Sequence, residues 1–444
     1  MTRGIQKRRH DMLNLRGNNR SFYKQYLYMI RKNNIKIGVI GLGYVGFPLA
    51  CLFAKKYNVI GYDIDPYKVK NLNNGKIGNI DVSIDVVKNL IYSGNLSLTA
   101  LQSDVADCNV YIVAVPTPAD KKLKADPTLL YQSSVDLGAI LSPGNIVIYE
   151  STVWPGMTEE ECVPRLEKSS GLKYNEDFFV GYSPERINPS DKAHSVANTK
   201  KVTSGSTPKA AAFVDKLYRS VLLDGTYMAS SIKVAETCKM MENCQRDVLI
   251  AFANEMLGIC QTLGVDFDEA NKGAATKWNY VKMNPGFVGG HCIAVDPYYM
   301  IDKASAAGYN PTLLKSARRV NSKMAPKFAR RVIVDIKSRG LSVGKSRVLL
   351  LGFSFKADCE DIRNTRAYDI YEMMHRYTHH ITIYDPHVNA DKVRGEYGVD
   401  VETDENSLSN NGYDAVVICT SHSVFRNPQK WLKDGGKVYT LKNI

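Results

Sequence analysis

The segment from Ile35 to Asp63 constrains the fold more than any other. Ile35-Lys-Ile-Gly-Val-Ile-Gly reads as a short buried strand, Tyr44 to Tyr57 places apolar side chains at helical spacing, and Val59-Ile-Gly-Tyr-Asp63 reads as a second strand. A strand, a helix and a strand in that order make a βαβ unit, whose strands run parallel. At its first turn stands Gly41-Leu42-Gly43-Tyr44-Val45-Gly46, a G-x-G-x-x-G pattern. Such glycines permit a tight turn, let the backbone approach a pyrophosphate and allow helix and sheet to touch. The helix that follows offers unpaired N–H groups and the positive end of its dipole to that pyrophosphate. Asp63, about 20 residues on, can accept hydrogen bonds from a ribose diol and would repel a 2′-phosphate, so the pattern points to NAD and away from NADP. An ordinary tight βα turn is the competing reading of the glycines alone.

The rest of the chain extends this arrangement. Val110-Tyr-Ile-Val-Ala-Val115 and Asn145-Ile-Val-Ile-Tyr149 are continuous apolar runs, as expected of strands covered on both faces. From Ser230 a long helical pattern runs to a stop near Gly264. Beyond Gly340 the alternation returns: Arg347 to Leu351, a helix from about Arg366 to Tyr377, Ile381 to Tyr384, and Asp414 to Thr420. The expected fold class is α/β, with two Rossmann-like doubly wound domains joined by a long central helix and helical domain. The expected boundaries are a basic extension over 1–34, an NAD-binding domain over 35–228, a central helical domain over 229–338 and a second Rossmann-like domain over 339–444. A chain of 444 residues suits two or three domains.

Charge and cysteine usage narrow the function classes. The net charge is +13, but residues 1–34 hold nine basic side chains against Asp11 and so contribute +8 of it. The remainder is only mildly basic and lacks a basic patch interleaved with aromatics, which argues against nucleic acid as the main partner. The tail itself is compatible with a solvated arm, a transit peptide, or contact with nucleic acid or anionic lipid. No apolar run approaches the roughly 18 residues of a membrane span. Nine cysteines, odd in number and without C-x-x-C pairs, fit reduced thiols in a cytoplasmic protein with no zinc cage. No metal is expected.

Four further stretches carry candidate chemistry. Val115-Pro116-Thr117-Pro118 and Glu150-Ser151-Thr152 follow strands, where open α/β sheets bind ligands. Their hydroxyls could hold ribose, nicotinamide or water, although such turns are often purely structural. Asn284-Pro-Gly-Phe-Val-Gly-Gly-His-Cys-Ile-Ala-Val-Asp296 leaves bare backbone beside Cys292. A thiolate there could attack an aldehyde and, after hydride loss, become a thioester. Inert packing is the bland alternative for a lone cysteine. Asp296 comes within reach of Cys292 if the segment turns helical. His291, with no second ligand at metal spacing, reads as a structural histidine. Lys239 and Asn243 share a helical face and could stabilise an oxyanion, or could be an exposed polar pair. Met240, Met241 and Cys244 around them read as core.

At these residues the sequence resembles the nucleotide-sugar 6-dehydrogenase family, which includes UDP-glucose, GDP-mannose and UDP-N-acetylhexosamine dehydrogenases. The resemblance runs from about Lys36 to about Phe425 through GLGYVG, VPTP, ESTV, SPERINPS, the Lys239–Asn243 pair, GGHCIAVDPYY and LGFSFKADCEDIR, in family order. It implies oxidation of the sugar C6 alcohol to a carboxylate with two NAD⁺, through a thiohemiacetal and a thioester on Cys292. Asp296 and Lys239 would assist proton removal, Glu185 would help water hydrolyse the thioester near Thr117 and Asp296, and Lys239 and Asn243 would steady the oxyanion. It also implies cofactor contacts at the 41–46 loop, Asp63, Lys68, Val115, Pro116, Thr117, Thr152 and Arg363. Substrate contacts would come from Glu185, Arg186, Ile187 and Asn188, from Lys239, Asn243 and Lys277, from Val288 and Gly289, and from the nucleotide-binding pair Phe355 and Lys356. A homodimer or larger homo-oligomer is implied. The segments Tyr182 to Ser190 and Lys277 to Tyr280 resemble the UDP-N-acetylhexosamine branch, so UDP-N-acetylglucosamine is the expected substrate; UDP-N-acetylgalactosamine, UDP-N-acetylmannosamine and UDP-glucose are the alternatives. Asn284 and Ala294 depart from that branch, where arginine and glycine or proline are frequent.

Overall fold

The computed structural model describes residues 35–76, 82–118, 125–186, 196–408, 410 and 412–444. The basic extension and, among the expected site residues, Ile187 and Asn188 lie outside the described residues. The chain divides into two compact units between Met240 and Met241.

The first unit opens with β1 (Lys36–Ile40), α1 (Gly46–Ala54), β2 (Asn58–Tyr62), α2 (Pro66–Asn73), α3 (Ile84–Tyr92), β3 (Leu96–Thr99) and β4 (Val110–Val113). It continues with α4 (Thr128–Gly138), β5 (Ile146–Tyr149), α5 (Val163–Ser170), β6 (Phe179–Tyr182), β7 (Lys201–Gly205), α6 (Pro208–Arg219), β8 (Thr226–Met228) and the start of α7 (Ile232–Leu263). The sheet order is β3-β2-β1-β4-β5-β6-β7-β8, and its first six positions are the doubly wound order with its switch point between β1 and β4. Every residue of β4, β5 and β6 is buried, which is why these strands read as unbroken apolar runs. The helix α1, Gly-Phe-Pro-Leu-Ala-Cys-Leu-Phe-Ala, has no polar face and is buried throughout. It starts at Gly46, two residues later than its apolar spacing suggests, because Tyr44 belongs to the glycine turn. One feature departs from an all-parallel sheet: β7 runs antiparallel to β6, pairing Gly181 with Gly205 and Tyr182 with Ser204.

The second unit holds the remainder of α7, then α8 (Phe267–Ala274), α9 (Asp296–Ala306), α10 (Thr312–Ser338), β9 (Val348–Leu351), α11 (Arg366–His375), β10 (Ile381–Tyr384), α12 (Ala390–Tyr397), β11 (Tyr413–Ile418) and β12 (Leu432–Tyr439). Its sheet is parallel throughout, in the order β10-β9-β11-β12. Ala325, Phe328, Ala329, Val332, Ile333 and Ile336 recur at helical spacing on α10 and pack in one core with Val348 and Leu350 of β9. Each such fully buried valine, leucine, isoleucine or phenylalanine contributes about 1.5–3 kcal/mol. Among the described residues no helix is long and apolar enough to cross a membrane.

Candidate active site

The glycine turn after β1 shows why each glycine is there. Gly41 sits at φ +92°, a left-handed conformation that side chains rarely adopt. A Cβ on Gly46 would lie 1.9 Å from the Gly41 carbonyl oxygen, whereas a Cβ on Gly43 would meet nothing within 4 Å. Gly46 is thus required by internal packing, and Gly43 leaves open space where a ligand's backbone-hugging group can lie. No side chain caps α1; the Phe47 N–H is taken by the Gly43 carbonyl at 3.0 Å and Pro48 has none, so the helix start offers an anion the positive end of its dipole rather than a row of open donors. Asp63 Oδ2 accepts hydrogen bonds from the Leu42 N–H and from Lys68 Nζ, each at 2.8 Å, tying the turn to the end of β2. These residues fit a dinucleotide. The turns after β4 and β5 are laced together: Thr117 Oγ1 donates to the Thr152 carbonyl at 2.7 Å, and Ser151 Oγ donates to the Val115 carbonyl at 2.6 Å. Thr117 is buried, Val115 and Thr152 half-buried and Pro116 exposed.

Lys239 is only 5% exposed, which rules out the exposed polar pair as an explanation. Its Nζ donates to the Glu185 carbonyl at 2.6 Å and lies 3.6 Å from the Glu185 carboxylate. Glu185 is itself buried, and burial pushes its carboxyl above the usual range against the pull of Lys239 and Lys201. Arg186 is half-buried beside it and donates to the Lys200 carbonyl. Met240 and Cys244 are buried as expected, but Met241 is 63% exposed. The helical step of about 100° turns Met241 off the stripe that Met240 and Cys244 share.

In the second unit, Cys292 to Asp296 forms one hydrogen-bonded turn that leads into α9: the Val295 and Asp296 N–H groups both donate to the Cys292 carbonyl, at 3.0 and 2.8 Å. Cys292 is half-buried. Asn243 Nδ2 donates to Asp296 Oδ2 at 2.5 Å, so one amide proton is committed to that carboxylate and the second can serve an oxyanion. Both ends of the glycine-rich loop are held by buried polar residues that the periodicity did not single out. Asn254 of α7 exchanges hydrogen bonds with Gly286, donating to its carbonyl at 3.0 Å and accepting from its N–H at 2.9 Å. Arg318 of α10 donates to the Ala294 carbonyl at 3.3 Å and pairs with the fully buried Asp247. Asn321 joins the two, bonding Asp247 and Asn254. The available signal was polar spacing: Asp247 and Asn254 are seven apart on α7, and Arg318 and Asn321 three apart on α10, each pair sharing a face.

Phe355 explains the glycines before Cys292. Gly290 lies at φ +79°, and a Cβ there would sit 2.7 Å from the Phe355 ring; one on Gly289 would meet the Asn364 carbonyl at 2.8 Å. Arg366 Nε donates to the Val288 carbonyl at 2.7 Å, fixing the buried Val288. A cavity of about 160 Å³ is lined by Phe287, Ser354, Phe355, Lys356, Arg366 and Thr420. Its floor is braced by His422, which accepts the Asp358 N–H at 2.8 Å through Nδ1 and faces Asp385 at 2.9 Å through Nε2. Asp385 in turn accepts the Phe353 and Ser354 N–H groups. Arg363 forks onto Asp361, whose carboxyl burial pushes up but the guanidinium holds below the usual range. Lys277 is exposed on the turn after α8.

These features agree with comparisons to known proteins. Family models of the UDP-glucose/GDP-mannose dehydrogenases match along the chain: the NAD binding domain at residues 35–222, the central domain at 233–323 and the UDP binding domain at 349–443. The chain is 46% identical over 394 residues to a UDP-N-acetyl-D-glucosamine 6-dehydrogenase of Pseudomonas aeruginosa, covering 89% of this chain and 92% of that one. It is 43% identical over 417 residues to the enzyme of that name from Salmonella typhi, covering 93% and 97%. Among solved structures, a UDP-D-ManNAc dehydrogenase from Pyrococcus horikoshii aligns with a TM-score of 0.80 at 32% identity, covering 88% of this chain and 90% of that one. With a dinucleotide turn and a UDP binding domain on one chain, this protein belongs to the UDP-glucose/GDP-mannose dehydrogenase family and is an NAD-dependent UDP-sugar dehydrogenase.

Proposed function

We propose that the enzyme oxidises C6 of UDP-N-acetylglucosamine to the carboxylate through covalent intermediates on Cys292. The observation that carries the choice of sugar is identity of 46% and 43% to two UDP-N-acetyl-D-glucosamine 6-dehydrogenases, against 33% to a UDP-N-acetyl-D-mannosamine dehydrogenase. NAD⁺, when bound, supplies the hydride acceptor for each of the two oxidations. The remaining work falls to the chain. The Asp296 carboxylate takes the C6 hydroxyl proton through an ordered water, and the Lys239 ammonium assists its removal by stabilising the oxygen left behind. The Cys292 sulfur then adds to the aldehyde carbon as a thiohemiacetal, which keeps the aldehyde from escaping. Loss of a second hydride gives the thioester, and water breaks its C–S bond to release the carboxylate and restore the thiol. Glu185 serves as the base for that water, its raised proton affinity suiting a group that must accept and return a proton. Lys239, with its ammonium out of bulk water, and the second Asn243 amide proton steady each oxyanion; donors in a dry site act more strongly than in solvent. Phe355 and Lys356 take the nucleotide in the cavity that they line. Pairing of two copies through the central helices is supported by the exposed Phe252, Ile259 and Leu263 on α7.

The test is product analysis on a panel of UDP-sugars. Two NADH per sugar and a clear preference for UDP-N-acetylglucosamine are expected, and preference for UDP-glucose overturns the choice. Cys292→Ser is expected to abolish acid formation while NAD⁺ still binds; unchanged turnover removes the covalent route.

A further inference from the structure

Two buried carboxylates and two buried ammoniums occupy one end of the first unit's sheet, and only one ion pair is used by the mechanism above. Glu150 follows β5 directly and is 1% exposed; Lys201 opens β7 and is 5% exposed. Lys201 Nζ bonds Glu150 Oε2, and Tyr218 of α6, fully buried, donates its hydroxyl to Glu150 Oε1. The Lys201 ammonium also lies 5.4 Å from the centre of the Tyr218 ring. The antiparallel β6–β7 pairing ends at Tyr182 and Ser204, and past that end Lys201 lies near enough to Glu185 for its charge to act on the carboxyl. Arg186, donating to the Lys200 carbonyl at 2.6 Å, ties the two segments there. Such a pair is a poor way to stabilise a core: removing two charges from water costs several kcal/mol each, and apolar residues of like volume often do as well or better.

We propose that Glu150, Lys201 and Tyr218 are positioning residues for the Glu185–Lys239 pair. By committing Lys201 to Glu150 they make Lys239 the ammonium that answers Glu185. This rests on the hydrolytic role given to Glu185 above. Among the described residues, the charged groups acting on Glu185 include Lys239 from α7, Lys201 from β7 and Glu150 beyond β5, and Arg186 alongside donates to the Lys200 carbonyl. Glu236, one turn before Lys239 on α7, is held instead by the Gly156 and Thr158 N–H groups. Burial raises Glu185, Lys239 and then Lys201 oppose it, and the charge of Glu150 adds to the rise. The sign of each substitution follows. Without the Glu150 charge, Lys201 becomes a counter-ion of Glu185 and lowers its proton affinity. Without Lys201, the Glu150 charge beside Glu185 is unanswered and raises it.

The experiment uses full-length enzyme with NAD⁺ and UDP-N-acetylglucosamine, following acyl-enzyme hydrolysis against pH by rapid quench and mass spectrometry of the Cys292 adduct. Glu150→Gln is expected to move the acidic limb of that profile down by about one pH unit, and Lys201→Met to move it up by about one, the size expected of one nearby charge. Tyr218→Phe removes one donor to Glu150 and shifts the limb in the Glu150→Gln direction by less; Lys201→Arg restores the wild-type limb. Shifts of the same sign in Glu150→Gln and Lys201→Met overturn the proposal. So does a Tyr218→Phe profile that overlies the wild type, which keeps the test decisive if the charge variants fail to fold. The underlying reading is checked separately by Glu185→Gln, which must accumulate the acyl adduct; if it does not, the role of Glu185 falls whatever the other variants do.

Discussion

Gly43 and Gly46 lie three residues apart in one turn, yet substitution by alanine should fail in different ways. At Gly46 the new Cβ would start 1.9 Å from the Gly41 carbonyl oxygen. Reaching even 3.0 Å requires the start of α1 to move by roughly 1 Å, and inserting a methyl into a packed site costs about 1–3 kcal/mol. For a unit of this size each kcal/mol lowers Tm by about 2–4 °C. Gly46→Ala should therefore melt roughly 2–12 °C early. At Gly43 no atom lies within 4 Å of the new Cβ, and the residue is not among those at positive φ. Restricting the unfolded chain there should leave stability unchanged or raise it by about 0.4–1 kcal/mol. The methyl would instead occupy the space assigned to the pyrophosphate, and losing that approach should weaken NAD⁺ about 10–100-fold, or about 1.4–2.8 kcal/mol. Differential scanning fluorimetry reads the first effect and isothermal titration of NAD⁺ the second, with UDP binding as an internal control for the second unit. A Gly43→Ala enzyme that binds NAD⁺ within twofold of wild type would refute the close approach.

Two other consequences concern stability. Burial raises the Glu236 carboxyl from its ordinary 4.5 to about 7, against the pull of hydrogen bonds from Thr158 and Gly156. A carboxyl raised in the folded state contributes stability that is complete below the unfolded pKa and is lost as pH rises through the folded one. Between pH 5.5 and 7 this group alone should cost about 2 kcal/mol. Glu236→Gln should flatten that part of the dependence, read as urea midpoints at pH 5.5 and 8; an unchanged slope would assign it elsewhere. Arg318→Met would leave Asp247, fully buried, without its cation. A loss of about 3–5 kcal/mol is expected, with a matching fall in the urea midpoint. A loss below 1 kcal/mol would mean that Asp247 is served by Asn321 alone.

Much of the framework was legible because it depends on neighbours in sequence. β1, α1 and β2 follow from apolar spacing, and the glycine turn from steric needs that lie within six residues. The burial of Lys239 was not legible. Its spacing to Asn243 shows that the two share a face, but whether that face meets water depends on what packs against it, and that is Glu185, 54 positions earlier. Asp247 and Arg318 are 71 positions apart, and Glu150 and Lys201 are 51 apart. Periodicity cannot find such partners, since a polar residue on a buried stripe reads as a flaw in the stripe. The same physics makes the flaw informative. A charge cannot be buried alone at tolerable cost, so an acid on an apolar face, such as Asp247 between Cys244 and Ala251 on α7, already implies a cation elsewhere in the chain. Sequence can therefore announce that a partner exists, while only the fold selects Arg318 from 58 lysines and arginines.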